Sequence, residues 1–195
     1  MEAARLHHIY EQLRKYISDP LDPFVVVSIE SQTLFVCKNE AVVEQYDCST
    51  SRFGNGNREN SLKTPLGTHR IREKFGAGAP AGRVFRDRED TGEDWDHRQN
   101  GDNLILTRIL RLEGLERGIN KGEGIDSYER YIYIHGTGRE DMIGAPLSHG
   151  CVCLRNADVI RLFETVREGT LVYIDPPPLV INDRPCRGFH LLQSS

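Results

Sequence analysis

The chain has 195 residues, with 38% hydrophobic and 28% charged residues and a formal net charge of −4. This composition is typical of an ordinary globular domain, and it excludes a fibrous chain and one that is disordered throughout. The balance of 29 acidic against 25 basic residues argues against a nucleic-acid partner, because nucleic-acid-binding domains carry a basic surface. No apolar run is long enough to span a bilayer, so we expect no membrane partner.

The first twenty residues predict an amphipathic helix, assigned as residues 1–22. Apolar positions at Leu6, Ile9, Leu13 and Tyr16 fall on one helical face, and Ser18-Asp19-Pro20 ends the pattern. A signal peptide would carry an unbroken apolar stretch here, and polar residues interrupt this one. We therefore expect a cytoplasmic protein. The alternative is a periplasmic protein from which a leader has been removed.

Cysteine usage favours the same compartment. The five cysteines are an odd number without the even spacing of a disulfide framework. Such a chain is most compatible with a reducing compartment, in which thiols do not form disulfides. The cysteines are Cys37, Cys48, Cys151, Cys153 and Cys186.

Short β-branched and aromatic runs predict strands over most of the remaining chain. The first three, at 24–29, 33–37 and 41–46, form an antiparallel hairpin or meander. Two polar, turn-rich stretches, 49–63 and 76–101, are interpreted as exposed loops. Further strands are predicted at 104–110, 131–134 and 171–174.

One helix is predicted after residue 155, with Asn156 as its N-cap and Gly169 after its end. The chain is thus mainly β with two helices. Residues 23–176 are predicted to form one domain without an internal boundary, and 177–195 are predicted to be an irregular C-terminal tail.

The candidate catalytic residues lie between residues 134 and 156. A thiol is a poor nucleophile until it ionises, and an imidazole can take its proton and return it to a leaving amine. Cys151 has His149 two positions away, and His135 ends a strand sixteen positions earlier. The amides of Gly150 and Cys151 are placed to face an oxyanion. On spacing alone, the alternative is an inert core cysteine near a histidine by chance.

The complete pattern is more specific. His135-Gly-Thr, Gly144, Ser148-His-Gly-Cys151 and Asn156 resemble the signature of the L,D-transpeptidase (YkuD) catalytic domain. The resemblance extends over about residues 24–175 and includes Thr64-Pro-Leu-Gly67.

The resemblance implies a β-sandwich with an N-terminal helix and one helix after the catalytic cysteine. It implies a cysteine acyl-transfer enzyme that acts on peptidoglycan tetrapeptide stems, at the bond between the L-centre of the third residue and D-Ala. It makes Cys151 the nucleophile and His135 the base, oriented by the Gly136 carbonyl, with His149 in a positioning role. Ser148 and Gly150 are implied on the substrate side. No metal and no organic cofactor are expected.

One position departs from the family pattern, because Cys153 stands where the family usually has arginine. We predict that Arg155 replaces that arginine as a substrate-binding residue, and the alternative is a solvated residue at the helix start. The pair Cys151 and Cys153 also raises a metal or redox interpretation. Two thiols make a poor zinc site, and a bridge across one residue would be strained.

Three functions remain compatible with the motif. The preferred one is a hydrolytic L,D-carboxypeptidase that releases D-Ala in muropeptide recycling. The second is an exported L,D-transpeptidase that forms 3→3 crosslinks, and the third is an inactive wall-binding module. The sequence does not identify the acyl acceptor, because water needs no recognisable pocket. The mass of the products from a tetrapeptide separates the first two, and covalent labelling of Cys151 separates both from the third.

Overall fold

The structure is a computed structural model that describes residues 1–96 and 104–176. It contains two α-helices, α1 (Ala3–Leu13) and α2 (Asn156–Thr165). The strands are β1 (Phe24–Ser28), β2 (Thr33–Lys38), β3 (Ala41–Asp47), β4 (Gly67–Phe75), β5 (Arg83–Arg86), β6 (Glu89–Asp94), β7 (Ile105–Gly114), β8 (Tyr133–Gly136), β9 (Val152–Leu154) and β10 (Leu171–Asp175). Two short 3₁₀ turns lie at Arg14–Tyr16 and Glu140–Met142. Among these residues, no helix is long and apolar enough to cross a membrane.

The predicted meander is confirmed. Strand β1 pairs antiparallel with β2, and β2 pairs antiparallel with β3. Asn39 and Glu40 both have positive φ in the connection between β2 and β3, as a tight hairpin turn requires. The β-branched and aromatic side chains of β1 and β2 are buried on both faces of the sheet. Other parts of the chain must therefore pack against each face.

Helix α1 packs against one of these two faces. Its buried residues Leu6, Ile9 and Leu13 form a core cluster with Phe24 and Phe35 of the sheet. The predicted N-terminal helix is confirmed, although its α-helical part ends at Leu13 and a single 3₁₀ turn follows. The helix is therefore packed on the sheet through the face that the sequence indicated.

The ten strands of the described residues form one sheet. Eight of them follow the hydrogen-bonded order β3-β2-β1-β10-β4-β7-β5-β6, and β8 branches from β7 and pairs with β9. Although β9 and β1 are far apart in this order, Val152 and Leu154 share a core cluster with Val25 and Val27. The sheet therefore folds over onto itself and encloses the main core, with α2 packed into the same cluster. The predicted mainly β, sandwich-like class with two helices is confirmed.

The prediction for the second turn-rich stretch is wrong. The stretch 76–101 was expected to be an exposed loop, but it contains the β5–β6 hairpin, with Phe85 buried; its part from 97 onwards lies outside the described residues. The hairpin is stabilised by ion pairs, because Arg83 contacts both Asp90 and Asp94. The sequence did not predict these strands because charged side chains replace the alternating apolar residues that indicate a strand. The predicted tail 177–195 also lies outside the described residues.

Candidate active site

The segment around Cys151 is placed by a parallel pair of short strands. In this pair His135 of β8 lies beside Cys153 of β9. Cys151, one residue before β9, therefore lies at the start of the same ladder. Its half-buried Sγ accepts a hydrogen bond from the Tyr133 amide at 3.4 Å and donates one to the Tyr131 carbonyl at 3.6 Å. The sequence did not indicate β9, because three residues are too few to show a period.

His135 is buried and has a defined tautomer. Its Nδ1 lies 2.8 Å from the carbonyl oxygen of Gly136. Because a carbonyl only accepts, Nδ1 carries the proton and Nε2 presents a lone pair. Nε2 lies 3.9 Å from the Sγ of Cys153. The contact with Gly136 is the one that the resemblance implied, and it leaves Nε2 in the state that a general base needs.

Burial keeps both reacting groups neutral before substrate binds. It lowers the pKa of His135 to about 4, and it raises the pKa of the Cys151 thiol to about 11. The Tyr133 amide and the Arg130 guanidinium oppose the second shift without cancelling it. Because desolvation disfavours the charged form of each group, the site holds a thiol and an imidazole, not a preformed thiolate–imidazolium pair.

Asn156 occupies a different position from the one predicted. The N-cap of α2 is Arg155, which has extended backbone angles and makes no side-chain cap bond. Asn156 is the first helical residue and is buried. Its side-chain amide donates to the Thr137 carbonyl at 3.0 Å, and its oxygen accepts from Thr107. Asn156 therefore holds the turn that follows His135.

Gly136 is required at that turn by close packing. A Cβ at this position would clash with the Asn156 side-chain oxygen and would lie 2.8 Å from the Leu106 carbonyl oxygen. The glycine thus lets the strand bearing His135 lie directly against β7 and Asn156.

The backbone amides of Gly150 and Cys151, both predicted to face an oxyanion, differ in their hydrogen bonding. The Gly150 N–H donates to Ser148 Oγ at 3.2 Å, and the Ser148 hydroxyl donates to the Cys151 carbonyl at 2.5 Å. The Cys151 N–H has no hydrogen-bond partner among the described residues. Gly150 adopts a φ of +129°, which favours glycine. Ser148 thus closes the turn, and the Cys151 amide is the donor available to an oxyanion.

The loop 49–63 is not simply exposed, which corrects the prediction for its first residues. Ser49, Thr50 and Ser51 are buried. The Ser49 amide donates to the Cys153 carbonyl at 2.9 Å, and the Arg52 amide donates to the Ser148 carbonyl at 3.1 Å. The loop therefore packs along the nucleophile segment through two isolated β-bridges, from Ser49 to Cys153 and from Ser51 to Ser148.

Two residues that the sequence analysis missed belong to the site through this loop. The Arg52 guanidinium lies 2.6 Å from Nε2 of His149, and the Phe53 ring lies 5.6 Å from the His149 ring. Neither residue carries a motif, since both lie nearly one hundred positions before His149 in a polar stretch. Only the folded chain brings them together.

Cys151 and His135 line a common pocket of about 250 Å³. Its other described lining residues are Arg52, Leu104, Ile105, Thr137, Arg139, Leu147, Ser148, His149 and Cys153. Arg155 is not among them: its guanidinium lies 3.0 Å from Asp47 and it borders a different depression. That position fits the alternative of a surface residue better than the predicted contact with substrate.

No group of three metal-ligating side chains is found within residues 1–96 and 104–176. The site consists of a half-buried thiol, a neutral imidazole with an unprotonated Nε2 and an unused amide. This set defines the class of cysteine acyl-transfer enzymes, in which the imidazole moves a proton and the amide stabilises an oxyanion.

Comparison with known proteins identifies the family. Residues 22–174 match the sequence model of the L,D-transpeptidase catalytic domain, YkuD. The chain therefore belongs to the L,D-transpeptidase family and carries its catalytic domain, as the motif around Cys151 indicated.

Individual relatives are similar over different parts of the chain. The chain is 46% identical over 155 residues to the putative L,D-transpeptidase YqjB of Bacillus subtilis (strain 168), which covers 80% of this chain and 72% of that protein. It is 53% identical over 49 residues to the probable L,D-transpeptidase YbiS of Escherichia coli (strain K12), covering 25% of this chain and 16% of that one. A solved L,D-transpeptidase from Mycobacterium smegmatis matches with a TM-score of 0.48 and 14% identity, covering 79% of this chain and 58% of its own.

Proposed function

We propose that this chain is an L,D-carboxypeptidase. It would cleave the bond between the L-centre of the third residue of a peptidoglycan tetrapeptide and the terminal D-Ala, with water as the final acceptor. The observation that carries the proposal is the pairing of His135 and Cys151 in one pocket, with Nδ1 of His135 committed to Gly136 and Nε2 unprotonated.

The first half-reaction follows from this geometry. Cys151 Sγ turns from the Tyr131 carbonyl towards His135, and Nε2 takes its proton as the sulfur attacks the substrate carbonyl. The oxyanion that forms accepts a hydrogen bond from the Cys151 amide. When the C–N bond breaks, the imidazolium returns the proton to the leaving amine. The products are free D-Ala and a thioester on Cys151.

The second half-reaction uses the same base. A water molecule enters the space that D-Ala has left, and His135 Nε2 takes one of its protons as the oxygen attacks the thioester. Collapse of the second tetrahedral intermediate releases the tripeptide, whose new carboxyl group loses its proton to solvent, and the imidazolium returns its proton to the Cys151 sulfur. A pocket of about 250 Å³ beside His135 suits one small amino acid and the water that replaces it.

We place this activity in the cytoplasm, on stem peptides released from the wall. The support is the thiol chemistry of the site, since a second thiol, Cys153, lies two residues from the nucleophile and against the base. An oxidising compartment would expose such a pair to thiol–disulfide exchange. A fusion of the complete protein to a reporter that is active only in the cytoplasm tests the location; a fusion that is produced but shows no reporter activity would contradict it.

Product analysis tests the reaction. The protein is incubated with a purified tetrapeptide, with and without a second stem as acceptor, and the products are identified by mass. Tripeptide and D-Ala in equal amounts, unchanged by the acceptor, support hydrolysis. Crosslinked 3→3 dimers as the main product would identify a transpeptidase instead, the activity in the names of the relatives. The absence of both products, and of a thioester on Cys151, would leave the wall-binding module.

A further inference from the structure

The pocket that contains Cys151 and His135 has a positive lining. Two guanidinium groups, of Arg52 and Arg139, border it, and none of its described lining residues is an aspartate or glutamate. Arg139 is partly neutralised, since its Nε lies 3.4 Å from Asp141. A concave surface lined by one sign of charge favours a ligand group of the opposite sign. The pocket is therefore suited to an anion.

Arg52 is the residue held in place for such a contact. Its Nη2 donates to Nε2 of His149 at 2.6 Å, and its guanidinium lies 5.2 Å from the centre of the Phe53 ring. Its own amide is fixed to the Ser148 carbonyl. No carboxylate among the described residues pairs with it, in contrast to the guanidinium of Arg155, which is paired with Asp47.

The contact with Arg52 determines the tautomer of His149. Because a guanidinium only donates, Nε2 of His149 must accept, and the imidazole is neutral with its proton on Nδ1. That Nδ1 is buried without a hydrogen-bond partner among the described residues. The histidine thus orients the arginine at the cost of one unmade hydrogen bond. One guanidinium nitrogen of Arg52 is used by His149, and Arg52 itself lines the pocket.

The reaction direction determines which substrate group reaches Arg52. His135 returns its proton to the leaving amine, so the pocket that it lines receives the departing residue. In D-Ala the carboxylate is separated from that amine by a single carbon. We propose that Arg52 binds the C-terminal carboxylate of the departing D-Ala and so restricts cleavage to the last residue of a stem. This inference rests on the proposed function and adds its specificity determinant.

The test compares a tetrapeptide that ends in D-Ala with the same peptide ending in D-alaninamide, which lacks the charge. The rate of thioester formation on Cys151 is measured by mass for the wild type, Arg52→Ala and Arg52→Lys. The matched control is Arg58→Ala, which removes an exposed arginine from the same loop. Thermal unfolding of each variant shows whether it is folded.

We expect the wild type to prefer the acid over the amide by about 10- to 100-fold, the range for a charge-assisted hydrogen bond. Arg52→Ala should react with the two peptides almost equally, Arg52→Lys should retain part of the preference, and Arg58→Ala should retain all of it. An Arg52→Ala variant that loses the same factor on both peptides, or on neither, would overturn the inference, because Arg52 would then only position His149 or do nothing.

A binding measurement separates this inference from the proposed function. Calorimetric titration with acetyl-D-alanine and with its amide requires no turnover, so the acid-to-amide ratio is measurable even if the tetrapeptide gives dimers or no product. A ratio that disappears in Arg52→Ala supports the carboxylate contact whatever the acceptor is. Equal binding of acid and amide by the wild type would refute it.

Discussion

The Sγ of Cys153 lies 3.9 Å from Nε2 of His135, whereas the Sγ of Cys151 is hydrogen-bonded to backbone groups of Tyr131 and Tyr133. The thiol in contact with His135 is therefore that of Cys153, whereas the cysteine of the Ser-His-Gly-Cys motif is Cys151. Cys153 is buried, and burial raises its pKa further above the ordinary value than that of Cys151. Its sulfur is thus a neutral neighbour of the base, and Cys151 must turn towards His135 to react.

This arrangement predicts that only Cys151 is essential. Cys151→Ala should abolish thioester formation and D-Ala release while the protein remains folded. Cys153→Ala should retain turnover to within a few-fold, since it removes one weak contact to His135 and leaves the nucleophile. The measurement is D-Ala release under saturating substrate, with Cys48→Ala as a control for loss of another buried thiol. Equal loss in Cys151→Ala and Cys153→Ala would mean that the two cysteines share the reaction.

The two histidines should differ in the size of their effects. His135→Ala removes the imidazole that takes the thiol proton in the proposed mechanism, so kcat should fall by about 10²–10⁴-fold. His149→Ala removes the partner of Arg52 and should act mainly through KM for the acid substrate. Steady-state kinetics on both variants gives the ranking. A larger fall in kcat for His149→Ala would exchange the two roles.

Arg155 provides a prediction with little expected effect. Its guanidinium makes surface ion pairs with Asp47 at 3.0 Å and with Asp158 at 4.0 Å, and such pairs contribute about 0–1 kcal/mol to stability. Arg155→Ala should therefore leave KM within two-fold of the wild type and change the thermal midpoint by little. A rise of ten-fold or more in KM would restore the substrate-binding role that the sequence suggested, and would show that Arg155 leaves Asp47 when substrate binds.

Sequence reasoning succeeded where the pattern was local. The meander, the N-terminal helix and the segment from Ser148 to Cys151 are each encoded by residues close together in the chain. The failures have one physical origin, which is that long-range contacts override local preferences. The β5–β6 hairpin is held by ion pairs of Arg83, and Asn156 is drawn inward by Thr107 and Thr137.

The same limit applies to the site. The family motif placed Cys151 and His135, but nothing local indicated that Arg52 would reach His149 or that Cys153 would contact His135. Both contacts depend on pairing between segments far apart in sequence: the loop at Ser49 and Ser51 bridges to Cys153 and Ser148, and β8 pairs with β9. The residues that adapt the common site to a substrate were therefore invisible before the fold was known.

A second buried histidine gives the protein a built-in sensitivity to acid. His69 on β4 is fully buried, with Nδ1 at 3.0 Å from the Gly67 carbonyl and Nε2 at 2.9 Å from Ser127 Oγ. Burial lowers the pKa of His69 to about 4, as it does for His135. An unfolded chain would titrate both near the ordinary value of about 6.5.

The sign of the effect on stability follows from proton counting. Between pH 6.5 and 4 the unfolded chain binds protons at His69 and His135 that the folded protein does not bind, so the free energy of unfolding should fall as the pH falls. The loss should approach on the order of 3 kcal/mol for each histidine. Urea unfolding between pH 7 and 4 measures it. His69→Gln should reduce the slope by about one proton, and His8→Gln, at an exposed position, should not. An unchanged slope in His69→Gln would show that His69 is already protonated in the folded protein.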